Sequence, residues 1–171
     1  MMADLFWTKT GDAYYLASST EELVKLQFDG SSKIIFWMNN EVYEVRRLGW
    51  WSRSIAILHK HQEVLVATQR SCGSGGTVTF ADGAQFLIDY KSSGPFVLRV
   101  MDGQSEILRY RASEDHGQKT AILTLGITLI DAERLLQLAT LGMVLFLTRF
   151  KDCRTSGNDE DILLLVTAAM S

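Results

Sequence analysis

The sequence predicts an all-β fold, a barrel of about twelve antiparallel strands enclosing a C-terminal helix, and three observations predict it. Short runs that alternate apolar and polar residues fill the chain from Leu5 to about Gly126. Turn dipeptides break these runs at short, regular intervals, the rhythm of a barrel or sandwich. The chain then enters a helix-length segment, Asp131–Phe150, that is apolar almost all the way round. A helix without a polar face must be enclosed by something, and the strands before it are the available enclosure.

Taken in order, Gly11-Asp12 separates Leu5–Lys9 from Ala13–Ser18, and Asp29-Gly30 separates Leu23–Phe28 from Lys33–Met38. Asn39-Asn40 leaves only two residues between Lys33–Met38 and Glu41–Arg47, a tight hairpin, and asparagine accepts the positive φ such turns require. Ser54–Lys60 and Glu63–Arg70 meet at His61-Gln62, Asp82-Gly83 joins Thr77–Phe80 to Ala84–Tyr90, and Asp102-Gly103 joins Phe96–Met101 to Glu106–Arg111. Lys119–Leu125 supplies the last strand. Alternation is clearest in Val42-Tyr43-Glu44-Val45-Arg46 and Ile107-Leu108-Arg109-Tyr110-Arg111, where one face packs inward and the other meets water. Gly73-Ser74-Gly75-Gly76 reads as a flexible loop inside one domain, because strands follow on either side.

The helix opens on Asp131-Ala132-Glu133, where acidic side chains suit the positive end of the helix dipole, and closes near Arg149 and Lys151, which suit the negative end. Twenty residues of helix extend about 30 Å, comparable to the diameter of a small domain. Ala139 and Gly142 offer small side chains where the enclosing strands can approach. The run Leu135–Leu147, interrupted only by Gln137 and Thr140, is nearer the ~10–14 residues of a buried helix than the ~20 of a bilayer span, so no transmembrane segment is expected. A polar stretch, Asp152–Asp161, leads to a second apolar run, Ile162–Met170, which suits either a helix capped by Asn158 or Asp159 or a terminal strand. Both C-terminal runs therefore compete for the centre of the barrel.

With 171 residues the chain is expected to form a single domain over 1–171, and 47% hydrophobic against 22% charged residues suits a folded globular protein. Pro95 is the only proline beside thirteen glycines, so turns fall to Gly, Asn and Asp. A net charge of −3 provides no general pull toward nucleic acid, which is not an expected partner, and makes any anion binding a local matter. Cys72 and Cys153 follow no metal or redox spacing and read as free thiols. The first residues lack the pattern of a secretory signal, which together with the thiols predicts a cytoplasmic protein.

The order of elements, together with Tyr43-Glu44-Val45-Arg46-Arg47 running into Gly49-Trp50-Trp51-Ser52 before Ile55-Ala56-Ile57, resembles the tubby C-terminal-like barrel superfamily. That superfamily includes the LURP-one-related proteins and the phospholipid scramblases, and the resemblance covers most of the chain. It implies a helix running through the centre of a closed barrel. It also implies a surface that, in some members, binds phosphoinositides through basic residues. The lysines and arginines of those members have no residue-by-residue match here, and the apolar run after Asp161 departs from the pattern.

One segment concentrates binding chemistry. Arg46-Arg47-Leu48-Gly49-Trp50-Trp51-Ser52-Arg53 holds three arginines and two tryptophans in eight residues, and the stretch from Arg46 to Arg70 carries five basic residues against the single acid Glu63. Arginine forks onto phosphate, and tryptophan suits a headgroup interface or a protein hot spot. Packing is the competing role for the tryptophans, one of which would plug a barrel end.

Other constellations are weaker. His59 and His61 sit two apart near a strand end, yet zinc needs two further ligands. Cys72-Gly73-Ser74-Gly75-Gly76 lacks both the Gly-Lys-Ser/Thr of a phosphate loop and the glycine that precedes a nucleophile elbow's serine. Glu114-Asp115-His116 reads as a solvated loop, and Asp159-Glu160-Asp161 lacks the ligand spacing of a calcium loop.

The expectation is a non-enzymatic binding module without metal or cofactor. Arg46, Arg47, Trp50, Trp51 and Arg53 would bind an anionic lipid headgroup, peripheral to a membrane, or a protein partner of the inhibitor or immunity type. A small hydrolase or metal-dependent enzyme ranks below both, with only His59, His61 and Cys72 to offer.

Overall fold

The computed structural model describes residues 5–29, 33–48, 54–70, 75–91, 96–115, 118–126 and 129–152, with backbone alone for 113–115, 118–121 and 149–152. Its strands are β1 (Phe6–Thr10), β2 (Ala13–Ala17), β3 (Glu22–Asp29), β4 (Lys33–Met38), β5 (Glu41–Leu48) and β6 (Ser54–His59). They continue as β7 (Gln62–Gln69), β8 (Gly75–Phe80), β9 (Gln85–Lys91), β10 (Val97–Asp102), β11 (Ser105–Asp115) and β12 (Gln118–Leu125), followed by helix α1 (Ala132–Asp152). Every strand pairs antiparallel with its sequence neighbour, so the order in the sheet is simply β1 to β12. The sheet curls into a nearly closed barrel.

The helix is the core. Every residue from Leu135 to Leu147 is buried, on all sides of the helix. Inward-facing strand residues from round the wall belong to one core cluster with it, among them Trp7, Leu16, Leu26, Phe36, Leu65, Val78, Leu98 and Leu108. The two polar residues inside the run satisfy themselves locally: Thr140 Oγ1 donates to the Leu136 carbonyl at 2.8 Å, and Gln137 Nε2 donates to Glu133 Oε1 at 3.4 Å. A buried polar group without a partner is costly, and these have partners within one turn. Asp131 precedes the helix as its cap, accepting from the Arg134 amide at 2.9 Å. Of the two apolar runs, the first is therefore the central one, while Ile162–Met170 lies outside the described residues.

The first and eleventh strands are tied to the helix through the core. Trp7 Nε1 of β1 donates to the Tyr110 hydroxyl of β11 at 2.8 Å, and that hydroxyl donates to the Ala139 carbonyl of α1 at 2.7 Å. Both rings are fully buried, and burial pushes the Tyr110 phenol far above its usual range, which keeps it a neutral donor. The ring lies over Gly142, where a Cβ would stand 2.7 Å from Tyr110 Cε2. The missing side chain at Gly142 thus admits an aromatic ring rather than a strand backbone.

Four local expectations are corrected. The β10–β11 turn is Gly103-Gln104, one residue later than Asp102-Gly103, because Asp102 closes β10 in register with Ser105. The β6–β7 turn is Lys60-His61, one residue earlier than His61-Gln62, and both residues take positive φ (50° and 66°) as Asn39 and Asn40 do (53° and 61°). Two primed hairpin turns result, one of them made by residues that seldom adopt it. Gly75-Gly76 belongs to β8 rather than to a flexible loop, since a Cβ on either would lie 2.2 Å from a backbone oxygen of the neighbouring strand, Ile88 or Thr68. Close backbone approach, not mobility, requires these glycines. Glu114 and Asp115 continue β11, opposite Lys119 and Gln118 of β12, rather than forming a loop.

Candidate binding site at the barrel mouth

Because α1 fills the interior, the places left for a ligand are the two mouths and the outer wall. The turns at residues 39–40, 60–61 and 82–83 surround the start of α1. The turn at residues 11–12, the ends of β3 and β5 and the start of β6 surround its last turns. The second mouth contains a cavity of about 1020 Å³.

Its floor is apolar, formed by Phe28, Ile34, Val45 and Ile55 from the wall and by Val144 and Leu147 from the helix. Its rim carries Lys9, Lys33, Arg46 and Arg47 against Asp12, Asp29 and Glu44. Strand parity explains how two of the cations reach it. Side chains two apart share a face, so Lys9 continues the inward row of Trp7, and Arg47 continues that of Tyr43 and Val45. Each row is apolar in the core and ends in a cation at the mouth.

Arg46 has the opposite parity, and its Nη2 pairs with Glu44 Oε1 at 3.0 Å on the outer wall. Arg47 and Lys33 make no ion pair with another described residue. Lys9 Nζ lies 5.9 Å from the centroid of the Tyr14 ring, whose phenol burial pushes up. The rim thus presents Lys9, Lys33 and Arg47 above an apolar floor, in a chain whose net charge is −3.

The basic segment therefore divides. Arg46 and Arg47 border the cavity but face opposite ways, whereas Trp50, Trp51 and Arg53 lie outside the described residues. Lys9 and Lys33 escape a search for local clusters because they arrive from separate hairpins. The signal that could have found Lys9 is the period-2 row Leu5, Trp7, Lys9, apolar twice and then charged.

At the other mouth His59 Nε2 lies 2.9 Å from Glu41 Oε2, with its ring stacked on Tyr43 at 4.7 Å. His59 and Lys60 hold the Glu41 carboxyl below the usual carboxylate range. His61 sits in the turn at positive φ, so the two histidines do not form a shared ligand face. At this mouth Arg134 reaches Asp82 of the β8–β9 turn and stacks 5.1 Å from the Phe80 ring centroid. The Ala84 amide, with Arg134 beside it, holds Asp82 low.

Among the described residues no three His, Cys, Asp or Glu side chains come together where a metal ion could be held. Cys72, His116, Cys153 and Asp159-Glu160-Asp161 lie outside the described residues. No described helix is long and apolar enough to cross a membrane. No family model, curated protein or solved structure matches the chain.

Proposed function

We propose that this protein is a non-enzymatic binding module of the tubby-like barrel type, and that its open mouth takes an anionic, amphipathic ligand, a lipid headgroup at the cytoplasmic face of a membrane. The cavity carries the reading: Lys9, Lys33 and Arg47 surround an apolar floor, so a phosphate could sit at the rim while attached carbon packs below. The filled interior supports a site at the mouth rather than in a central pocket.

Sedimentation with vesicles tests it. Phosphatidylcholine vesicles containing a few per cent phosphoinositide should pull down the protein, pure phosphatidylcholine should not, and raised salt should weaken the binding as the Debye length shortens below ~8 Å. Replacing Lys33 and Arg47 together by alanine should abolish it. Equal sedimentation with both vesicle types, or binding unchanged in the double variant, would overturn the assignment.

A second reading, a protein-interaction module, is favoured by the outer wall. Tyr15, Lys25, Trp37 and Val42 stand in one cross-strand row over β2–β5, with Lys25 Nζ 5.1 Å from the Trp37 ring centroid and Val42 51% exposed. Aromatic and apolar residues aligned on an outer face suit a protein partner. Capture of one stoichiometric partner that is lost in Trp37→Ala supports it, and retention of that partner in the variant removes it.

A further inference from the structure

The apolar run Ile162–Met170 is unaccounted for once α1 occupies the centre. We propose that the mouth cavity is a docking site for this chain's own C-terminal segment, Asp159–Met170, which then competes with the anionic ligand. The competitive half rests on the reading of the mouth as the ligand site.

Three observations point to this occupant. The cavity opens where α1 ends, since Val144, Leu147 and Thr148 line it. Six residues, Cys153–Asn158, separate the helix from Asp159 and reach up to about 20 Å when extended, enough to return to the same mouth. A tether of that length holds its end at millimolar effective concentration.

The chemistry also matches in order. Asp159-Glu160-Asp161 precedes Ile162-Leu163-Leu164-Leu165-Val166, three acids and then five apolar residues. The cavity presents the complement, cations Lys9, Lys33 and Arg47 at the rim and Phe28, Ile34, Ile55 and Leu147 at the floor, although Asp12 and Asp29 also stand at the rim. Acids placed at the rim would engage the groups proposed to hold the ligand's phosphate.

The test uses the full chain with Cys72→Ser, Cys153→Ser and Ser171→Cys, carrying a nitroxide at position 171 and labelled methyl groups. Docking predicts preferential broadening of the Ile34, Ile55, Val144 and Leu147 methyl signals over those of Leu58 and Leu135 at the opposite mouth. Asp159→Asn with Glu160→Gln and Asp161→Asn, or Leu164→Asp with Leu165→Asp, should remove the difference. Absence of preferential broadening, or broadening that persists in both variants, overturns the docking.

Vesicle sedimentation separates the two claims. A mouth occupied nine-tenths of the time lowers the apparent affinity about tenfold, so the triple variant should bind phosphoinositide vesicles about tenfold more tightly. Broadening with no vesicle binding by either protein supports docking and refutes the lipid reading. Broadening with equal vesicle binding by both proteins overturns the competition.

Discussion

Tyr110→Phe removes one oxygen from the centre of the protein, and its effect can be worked from the contacts that oxygen makes. The hydroxyl accepts from Trp7 Nε1 at 2.8 Å and donates to the Ala139 carbonyl at 2.7 Å, joining the first strand, the eleventh strand and the helix. Trp7 is completely buried, so its N–H would be left without a partner or water, at about 1–3 kcal/mol. Loss of the donation to Ala139 adds about 1 kcal/mol, because that carbonyl keeps its place in the helix ladder. The ring stays in place over Gly142, so little transfer energy changes. The total is about 2–4 kcal/mol, a fall of roughly 4–16 °C in Tm for a chain of this size.

Urea denaturation followed by tryptophan fluorescence and by circular dichroism measures it. Trp7→Phe alone should also destabilise. The double variant Trp7→Phe/Tyr110→Phe should lose about 1–2 kcal/mol less than the sum of the single losses, because the interaction is then counted once. A loss under about 0.5 kcal/mol for Tyr110→Phe, or strict additivity in the double variant, would refute the buried relay.

Gly142→Ala should destabilise by about 1 kcal/mol in the same assay, since crowding Tyr110 Cε2 at 2.7 Å outweighs the ~1 kcal/mol that alanine ordinarily gains over glycine in a helix; a stabilised variant would show that the ring does not lie there. His61→Gly should raise stability by about 0.5–1 kcal/mol in thermal melts by relieving a positive φ at a non-glycine residue, and an unchanged Tm would contradict the primed turn. Stability should fall as pH drops through the carboxylate range. Glu41 has a lowered folded pKa, so the unfolded chain binds more protons there, and the stability it contributes is present above the unfolded value and lost on acidification through the folded one. Glu41→Gln should flatten part of that slope in pH-dependent melts, and an identical slope would refute the His59 and Lys60 pairing.

Much of the architecture is legible before the structure because it rests on periodicity. Asn39-Asn40 and Asp82-Gly83 announce their turns by residue type, Gly103 marks its turn though one residue out of register, and Leu135–Leu147 announces burial by having no polar side. Lys60-His61 is not legible, since neither residue prefers positive φ and tertiary pairing of β6 with β7 imposes it. Gly75 and Gly76 mislead for a related reason: glycine marks flexibility and close backbone approach alike, and only the neighbouring strands decide between them.

The candidate site is less legible because it is assembled from distant hairpins. Adjacent Arg46 and Arg47 read as one basic cluster, yet strand geometry sends them to opposite faces. Lys9 and Lys33 have no charged run around them and join Arg47 only when the sheet curls. The Trp7–Tyr110–Ala139 relay spans 103 residues between its two rings, a separation no local pattern encodes.

Hydrogen exchange at the amides of Leu138–Leu147 tests the central claim, that α1 is the enclosed core of the barrel, most directly. These amides should exchange only through global unfolding, with the same opening free energy as the β11 core amides and as urea denaturation. Exchange through a cheaper local opening, with the strands still protected, would place the helix outside the barrel and contradict it.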